Sequence, residues 1–67
     1  MINTEELEKA IANSGKKKVH LAKACGITPQ TFIAKCKNRS DFSLSEVTVL
    51  TKELGLSNQD RDRIFFA

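Results

Sequence analysis

Basic side chains are concentrated in one stretch of this sequence. Residues 9–40 hold eight of the 11 lysines and arginines and contain no aspartate or glutamate. This stretch therefore has a formal charge of +8, the other residues together have −5, and the whole chain has +3. A one-sided positive field attracts polyanions and speeds their encounter with a protein. The alternative interpretation is a solvated basic face that binds no ligand.

Residue types that perform catalysis are sparse. His20 is the only histidine, and the sequence has no glycine-rich loop of the kind that holds a phosphate group. Ser43, Glu46 and Asp41 are better explained as helix-capping and loop residues than as a catalytic set. We therefore expect no enzymatic activity, no catalytic residue, no cofactor and no small-molecule ligand.

The two cysteines, Cys25 and Cys36, each occupy an apolar helical position. Small core residues are their expected role, because a single pair of cysteines at such positions is not a disulfide framework. A structural zinc ion would need more ligands than these two cysteines and His20 provide. No metal site is predicted.

Two short helices joined by a tight turn are expected to position the basic side chains. Gly26 follows an apolar helical run, where a residue with positive φ is needed to end the first helix. Thr28 is suited to cap the second helix, and Pro29 to its first position, where no backbone donor is required. Phe32 and Cys36 lie one turn apart and are expected to face the core together.

This pattern resembles the helix-turn-helix of the Cro and lambda-type repressor family. Ala22 stands where that family has a small residue at the close crossing of the two helices, and Gly26 follows four residues later. Ile27 and Phe32 match its inward-facing apolar positions. Residues 38–46 resemble the loop and the start of the fourth helix in small phage-type members, so that the resemblance extends over essentially the whole chain.

Helix signals elsewhere agree with this resemblance. Asn3 or Thr4 is expected to cap the first helix, and Ser43 with Glu46 forms a Ser-x-x-Glu capping box before the fourth. Gly55 is expected to end that helix. Ser57 is expected to cap a last short helix. Apolar stripes at helical spacing are predicted at Leu7, Ala10 and Ile11, at Val19, Ala22 and Cys25, and at Leu44, Val47, Leu50 and Leu54.

The resemblance implies an all-α fold, a compact bundle of five short helices with a central helix-turn-helix, as in lambda repressor-like DNA-binding domains. A chain of 67 residues is expected to form one domain, residues 1–67. No apolar run approaches the roughly 18 residues that span a membrane, and residues 1–5 show no signal peptide. A cytoplasmic location, associated with the nucleoid of a bacterial or phage-infected cell, is therefore expected.

The resemblance also implies which residues contact DNA. The helix over residues 29–37 is expected to lie in the major groove, where side chains near its N-terminus reach base edges. Ile33 is left open between a thymine methyl contact and the core. The predicted base contacts are Gln30, Thr31, Ile33, Ala34 and Lys37. The predicted phosphate contacts are Lys16, Lys17, Lys18, Lys23, Thr28, Lys35, Asn38 and Arg39; for the three consecutive lysines, solubility is the alternative.

Three large apolar residues, Ile64, Phe65 and Phe66, stand almost at the end of the sequence. No single helix face buries three successive large residues, so at least one is expected to stay exposed unless another chain covers it. We predict that Phe65 or Phe66 anchors a homodimer. The alternative is that Ile64 and one phenylalanine complete the monomer core while the other frays.

Together these patterns predict a sequence-specific regulator of transcription that binds double-stranded DNA, of phage repressor or Cro-like type. The alternative is a protein-interaction module or antirepressor that uses the same fold and its C-terminal aromatic end. The two differ in a measurable property, the salt-dependent affinity for duplex DNA.

Overall fold

The part of the chain that the structure describes is all-helical. A computed structural model describes residues 1–66, which form five α-helices and no strand; Ala67, the last residue of the predicted domain, lies outside them. The predicted all-α bundle is confirmed, and its dimensions are 27 × 23 × 20 Å. The helices are α1 (Thr4–Ser14), α2 (Lys18–Cys25), α3 (Pro29–Cys36), α4 (Leu44–Glu53) and α5 (Asn58–Phe65).

Helix α2 is the central element of the packing. It lies against both α3 and α4, while α1 and α4 each pack against α5 and α1 also touches α3. The longest helix, α1, has 11 residues. Within residues 1–66 no helix combines the length and the apolar character needed to cross a bilayer.

Side-chain caps begin most of the helices at the predicted positions. Asn3 accepts a hydrogen bond from the Glu6 amide at the start of α1, and Ser57 caps α5 through the Asp60 amide. At α4 the capping box is complete, because Ser43 and Glu46 each accept from the other's backbone N–H. Such caps satisfy backbone donors that have no partner within the helix.

The turn between α2 and α3 has the predicted geometry. Gly26 has φ 75°, and its N–H donates to the Lys23 carbonyl at 3.0 Å, while the Ile27 N–H donates to the Ala22 carbonyl at 3.0 Å. A Cβ atom built on Gly26 would have no neighbour within 4 Å. Glycine is therefore favoured here by its backbone conformation and not by lack of space. Thr28 then caps α3 through the Thr31 amide.

The core brings residues from all five helices together. Phe42, in the loop between α3 and α4, makes edge-to-face contacts with Phe32 at 5.9 Å and with Phe65 at 5.6 Å between ring centroids. Aromatic pairs favour this geometry, and here it links α3 to α5. The buried apolar residues are Leu7, Ile11, Leu21, Ala22, Phe32, Cys36, Val47, Leu50, Ile64 and Phe65.

Two residues of the predicted apolar stripes lie at the surface. Val19 is 57% exposed and Leu44 is 75% exposed, so their assignment to the core is corrected. Val19 lies in the first turn of α2, whose buried face is formed by Leu21 and Ala22. Leu44 is the first residue of α4, and the core begins two residues further on. Helical spacing alone does not specify which end of a stripe is covered by the neighbouring helices.

Candidate nucleic-acid interface

The outer face of α3 presents side chains to solvent. Gln30 and Thr31 are exposed, whereas Phe32 and Cys36 of the same helix are buried in the core. Ile33 is 38% exposed, so its side chain lies at the surface and not within the core. Ala34 is half-buried beside it. The helix ends at Cys36, one residue before the predicted end, and Lys37 follows as its C-cap residue.

Polar groups near the N-terminus of α3 differ in how they are engaged. The Thr28 hydroxyl accepts from the Thr31 N–H at 3.2 Å and lies 2.9 Å from the Thr31 hydroxyl. Gln30 makes no side-chain hydrogen bond within residues 1–66, and its amide is at the surface. A solvent-exposed amide at this position offers both a donor and an acceptor to a ligand.

Four of the predicted phosphate-contacting or base-contacting cations are exposed and form no ion pair with any other residue among 1–66. We call these the unpaired set. Their charges are not neutralised by a carboxylate of the described chain, and they are available to an anion. The unpaired set is Lys17, Lys23, Lys37 and Arg39.

Three further lysines of residues 9–40 pair with glutamates from outside that stretch, and we call them the paired set. Lys16 lies 3.0 Å from Glu53, and Lys18 lies 3.0 Å from Glu8, with both lysine side chains 39% exposed. The third member is Lys35, whose Nζ lies 2.7 Å from an oxygen of Glu46. Only the first two pairs are open enough to solvent for a phosphate to compete.

The pair of Lys35 and Glu46 is largely enclosed, with side-chain exposures of 15% and 10%. The same Glu46 oxygen accepts from the Ser43 N–H at 2.8 Å. Burial opposes the ionisation of Glu46, but the hydrogen bonds from Lys35 and Ser43 outweigh it and hold the pKa of this carboxyl below its usual range. The predicted phosphate contact of Lys35 is therefore corrected, because its ammonium group is held between α3 and α4.

Asn38 likewise uses its side chain within the protein. The Ile2 N–H donates to Asn38 Oδ1 at 2.9 Å, and Asn38 Nδ2 donates to the Ile2 carbonyl at 3.0 Å. Its φ is 63°, a left-handed conformation that asparagine tolerates better than most residues. The predicted phosphate contact of this side chain is corrected to a structural role. An asparagine just after a helix end was the available sequence signal for the left-handed residue, but not for its partner.

His20 and the two cysteines lie in surroundings that favour structural roles. His20 Nε2 is 3.2 Å from Glu53, and hydrogen bonds from Lys16 and His20 lower the pKa of that glutamate. Burial raises the pKa of Cys36 to about 11 and also raises the pKa of Cys25. Both thiols are free in the structure. Across the described residues, no group of histidine, cysteine and acidic side chains is arranged to hold a metal ion.

The two phenylalanines at the C-terminal end differ in exposure. Phe65 is 6% exposed and belongs to the core with Ile64, whereas Phe66 is 52% exposed. The expectation that one large residue stays at the surface is confirmed for Phe66. The assignment of Phe65 to a dimer interface is corrected, since its ring packs against Phe42.

Comparison with known proteins gave no relative. Neither a scan of protein-family models nor searches of curated proteins and solved structures found a match to this chain. The geometry of α3 and the unpaired set can be described without one. It is an exposed helix face, rich in small and polar groups, with uncompensated positive charge on and near the same helix.

Proposed function

We propose that the protein is a transcriptional regulator of phage repressor or Cro-like type that binds double-stranded DNA with α3 in the major groove. The observation that supports this most directly is the exposed face of α3, with the unpaired Lys37 at its end. An α-helix fits the major groove of B-DNA, where each base pair presents a distinct pattern of donors and acceptors. The proposal includes action in the cytoplasm at the nucleoid.

Affinity would come mainly from phosphate neutralisation, which releases counterions from DNA. The unpaired set would supply these contacts without first giving up a carboxylate partner. Lys16 and Lys18 would join them by exchanging Glu53 and Glu8 for phosphate. Such an exchange costs little, because exposed ion pairs contribute at most about 1 kcal/mol.

Sequence specificity would come from the first turns of α3. The Gln30 amide can form two hydrogen bonds to adenine, a pairing whose geometry discriminates against other bases. Ile33, which is 38% exposed, can meet a thymine methyl with Ala34 beside it. Thr31 and Lys37 can bond to base edges, and Lys37 also to phosphate. The Thr28 hydroxyl can meet phosphate at the N-terminus of the helix.

Selection of bound sequences from a random duplex pool, followed by titration of the selected site, tests this proposal. Gln30→Ala should weaken binding to the selected site by roughly 1–3 kcal/mol and leave binding to random DNA nearly unchanged. Gln59→Ala is the matched control, because Gln59 is an exposed glutamine on α5. It should change neither affinity.

Two results would contradict the proposal in different ways. Equal losses on selected and random DNA in Gln30→Ala would remove Gln30 from base recognition. No binding to any duplex at low salt would reject the function itself, and the interaction module or antirepressor would then be the better hypothesis.

A further inference from the structure

Exposed apolar side chains are gathered at one place on the surface. Met1, Leu44 and Phe66 are 89%, 75% and 52% exposed, and all three line a pocket of about 180 Å³. The other exposed large hydrophobic residues among 1–66, Val19 and Ile33, lie on α2 and α3. Contiguous apolar surface of this kind marks interaction sites more often than isolated exposed residues do.

The pocket has a fixed apolar wall. Its remaining lining is Ile2, Asp41, Phe42, Val47 and Phe65. Phe42 and Phe65 are held edge to face, with their ring centroids 5.6 Å apart, and Phe42 also packs against Phe32 of the core. Because these rings are anchored in the core, the pocket does not depend on a ligand to form.

We propose that the surface formed by Met1, Leu44 and Phe66, which we call the apolar patch, is a homodimer interface. Phe66 of each copy enters the pocket of the other. An interface with two-fold symmetry uses the same surface on both subunits, so that surface must contain a projection and a recess that fit each other. The apolar patch has both, in the half-exposed Phe66 ring and the pocket beside it.

Charge complementarity favours a second copy as the occupant. The Arg61 guanidinium lies 5.9 Å from the centre of the Phe66 ring, and Asp41 lines the pocket. When Phe66 enters the pocket, Arg61 moves with it toward the partner's Asp41. Within residues 1–66 Arg61 pairs with Asp62 at 2.9 Å and forms no ion pair with Asp41. The symmetric contact therefore adds an opposite-charge pair on each side of the two-fold axis.

The distribution of charge along the chain also suits this surface. Each copy has a net charge of +3, and the +8 stretch lies at residues 9–40. Every residue of the apolar patch, and the Asp41 and Arg61 that flank it, lies outside that stretch. Contact at the apolar patch therefore joins the copies through the part of the chain that has a net negative charge.

Sedimentation equilibrium of the full chain, without DNA, tests the dimer. Wild type should show a concentration-dependent equilibrium between monomer and dimer, and Leu44→Ser and Phe66→Ser should each weaken association about tenfold or more. Val19→Ser is the matched control, because Val19 is 57% exposed but lies on α2. Circular dichroism melts verify that each variant is folded, which is expected since these side chains lie outside the core.

A wild-type chain that stays monomeric at every concentration overturns the proposal and leaves the apolar patch to a different protein. Equal weakening by Val19→Ser and Leu44→Ser also overturns it. The free protein is used, so a negative result here and a failure to bind DNA are separate outcomes.

A charge exchange tests the two-fold arrangement itself. Asp41→Arg and Arg61→Asp should each weaken the dimer, and the double variant should recover most of the loss, because the opposite charges again face each other across the interface. Recovery cannot arise from an ion pair already present within one chain. A double variant as weak as the sum of its single variants overturns the proposed placement of Phe66 in the partner's pocket.

Discussion

The paired and unpaired sets differ in environment although they come from the same acid-free stretch of sequence. Lys35 is enclosed between α3 and α4 with Glu46 at 2.7 Å, whereas Lys37, two residues later, is exposed without an ion pair among the described residues. Two positions apart on a helix face in different directions. One of these lysines therefore stabilises the fold, and the other is available to a ligand.

The comparison shows that segregation of charge along a sequence overstates segregation in space. Glu8, Glu46 and Glu53 lie outside residues 9–40, yet each meets a lysine from within it. Folding neutralises part of the +8 charge and leaves a smaller group of cations uncompensated. Electrostatic attraction of a polyanion would then depend on the unpaired set more than on the total charge.

Removal of Lys35 should produce the largest effect. Lys35→Ala leaves Glu46 largely buried without its cation, and loss of one partner of such a pair costs about 3 kcal/mol in the free energy of unfolding. Lys37→Ala is the matched control and should stay within about 0.5 kcal/mol of wild type. Chemical denaturation measures both. Similar losses in the two variants would show that burial does not distinguish the two lysines.

Acid should remove part of the same stabilisation. The pKa of Glu46 is below its ordinary value of 4.5 in the folded protein, so the unfolded chain takes up its proton first as the pH falls. The contribution of the pair is complete above that ordinary value and is lost as the pH falls through the lower folded-state pKa.

Glu46→Gln should therefore make stability less dependent on pH below 4.5. Urea unfolding at a series of pH values measures this dependence. Glu5→Gln, at an exposed glutamate with no ion pair among residues 1–66, should keep the wild-type profile. An unchanged profile in Glu46→Gln would mean that other carboxylates control the acid unfolding.

The smallest effects are expected from single members of the unpaired set. Each alanine variant at Lys17, Lys23, Lys37 or Arg39 that removes a phosphate contact should reduce the slope of log K against log salt by about 0.9. Lys52→Ala is the control, because Lys52 is exposed on α4 and lies outside residues 9–40. If all four slopes equal that of Lys52→Ala, the unpaired set does not contact phosphate.

Local features of the fold were predictable because their causes lie within a few residues. The caps at Asn3, Thr28 and Ser43 join atoms three residues apart, and the positive φ of Gly26 follows from the need to end a helix. Helical spacing also predicted that Phe32 and Cys36 share the buried face of α3. These features require no knowledge of how the helices pack.

The tertiary structure decided which surface residues remain available. Lys35 meets Glu46 from 11 positions away, Lys16 meets Glu53 from 37, and Asn38 meets Ile2 from 36. Periodicity along the chain does not encode such distant partners. The same is true of the pocket that makes Leu44 and Phe66 neighbours while Phe65 enters the core. The sequence determined where helices begin and end, and helix packing determined which charges and rings stay exposed, because burial depends on elements far apart in the chain.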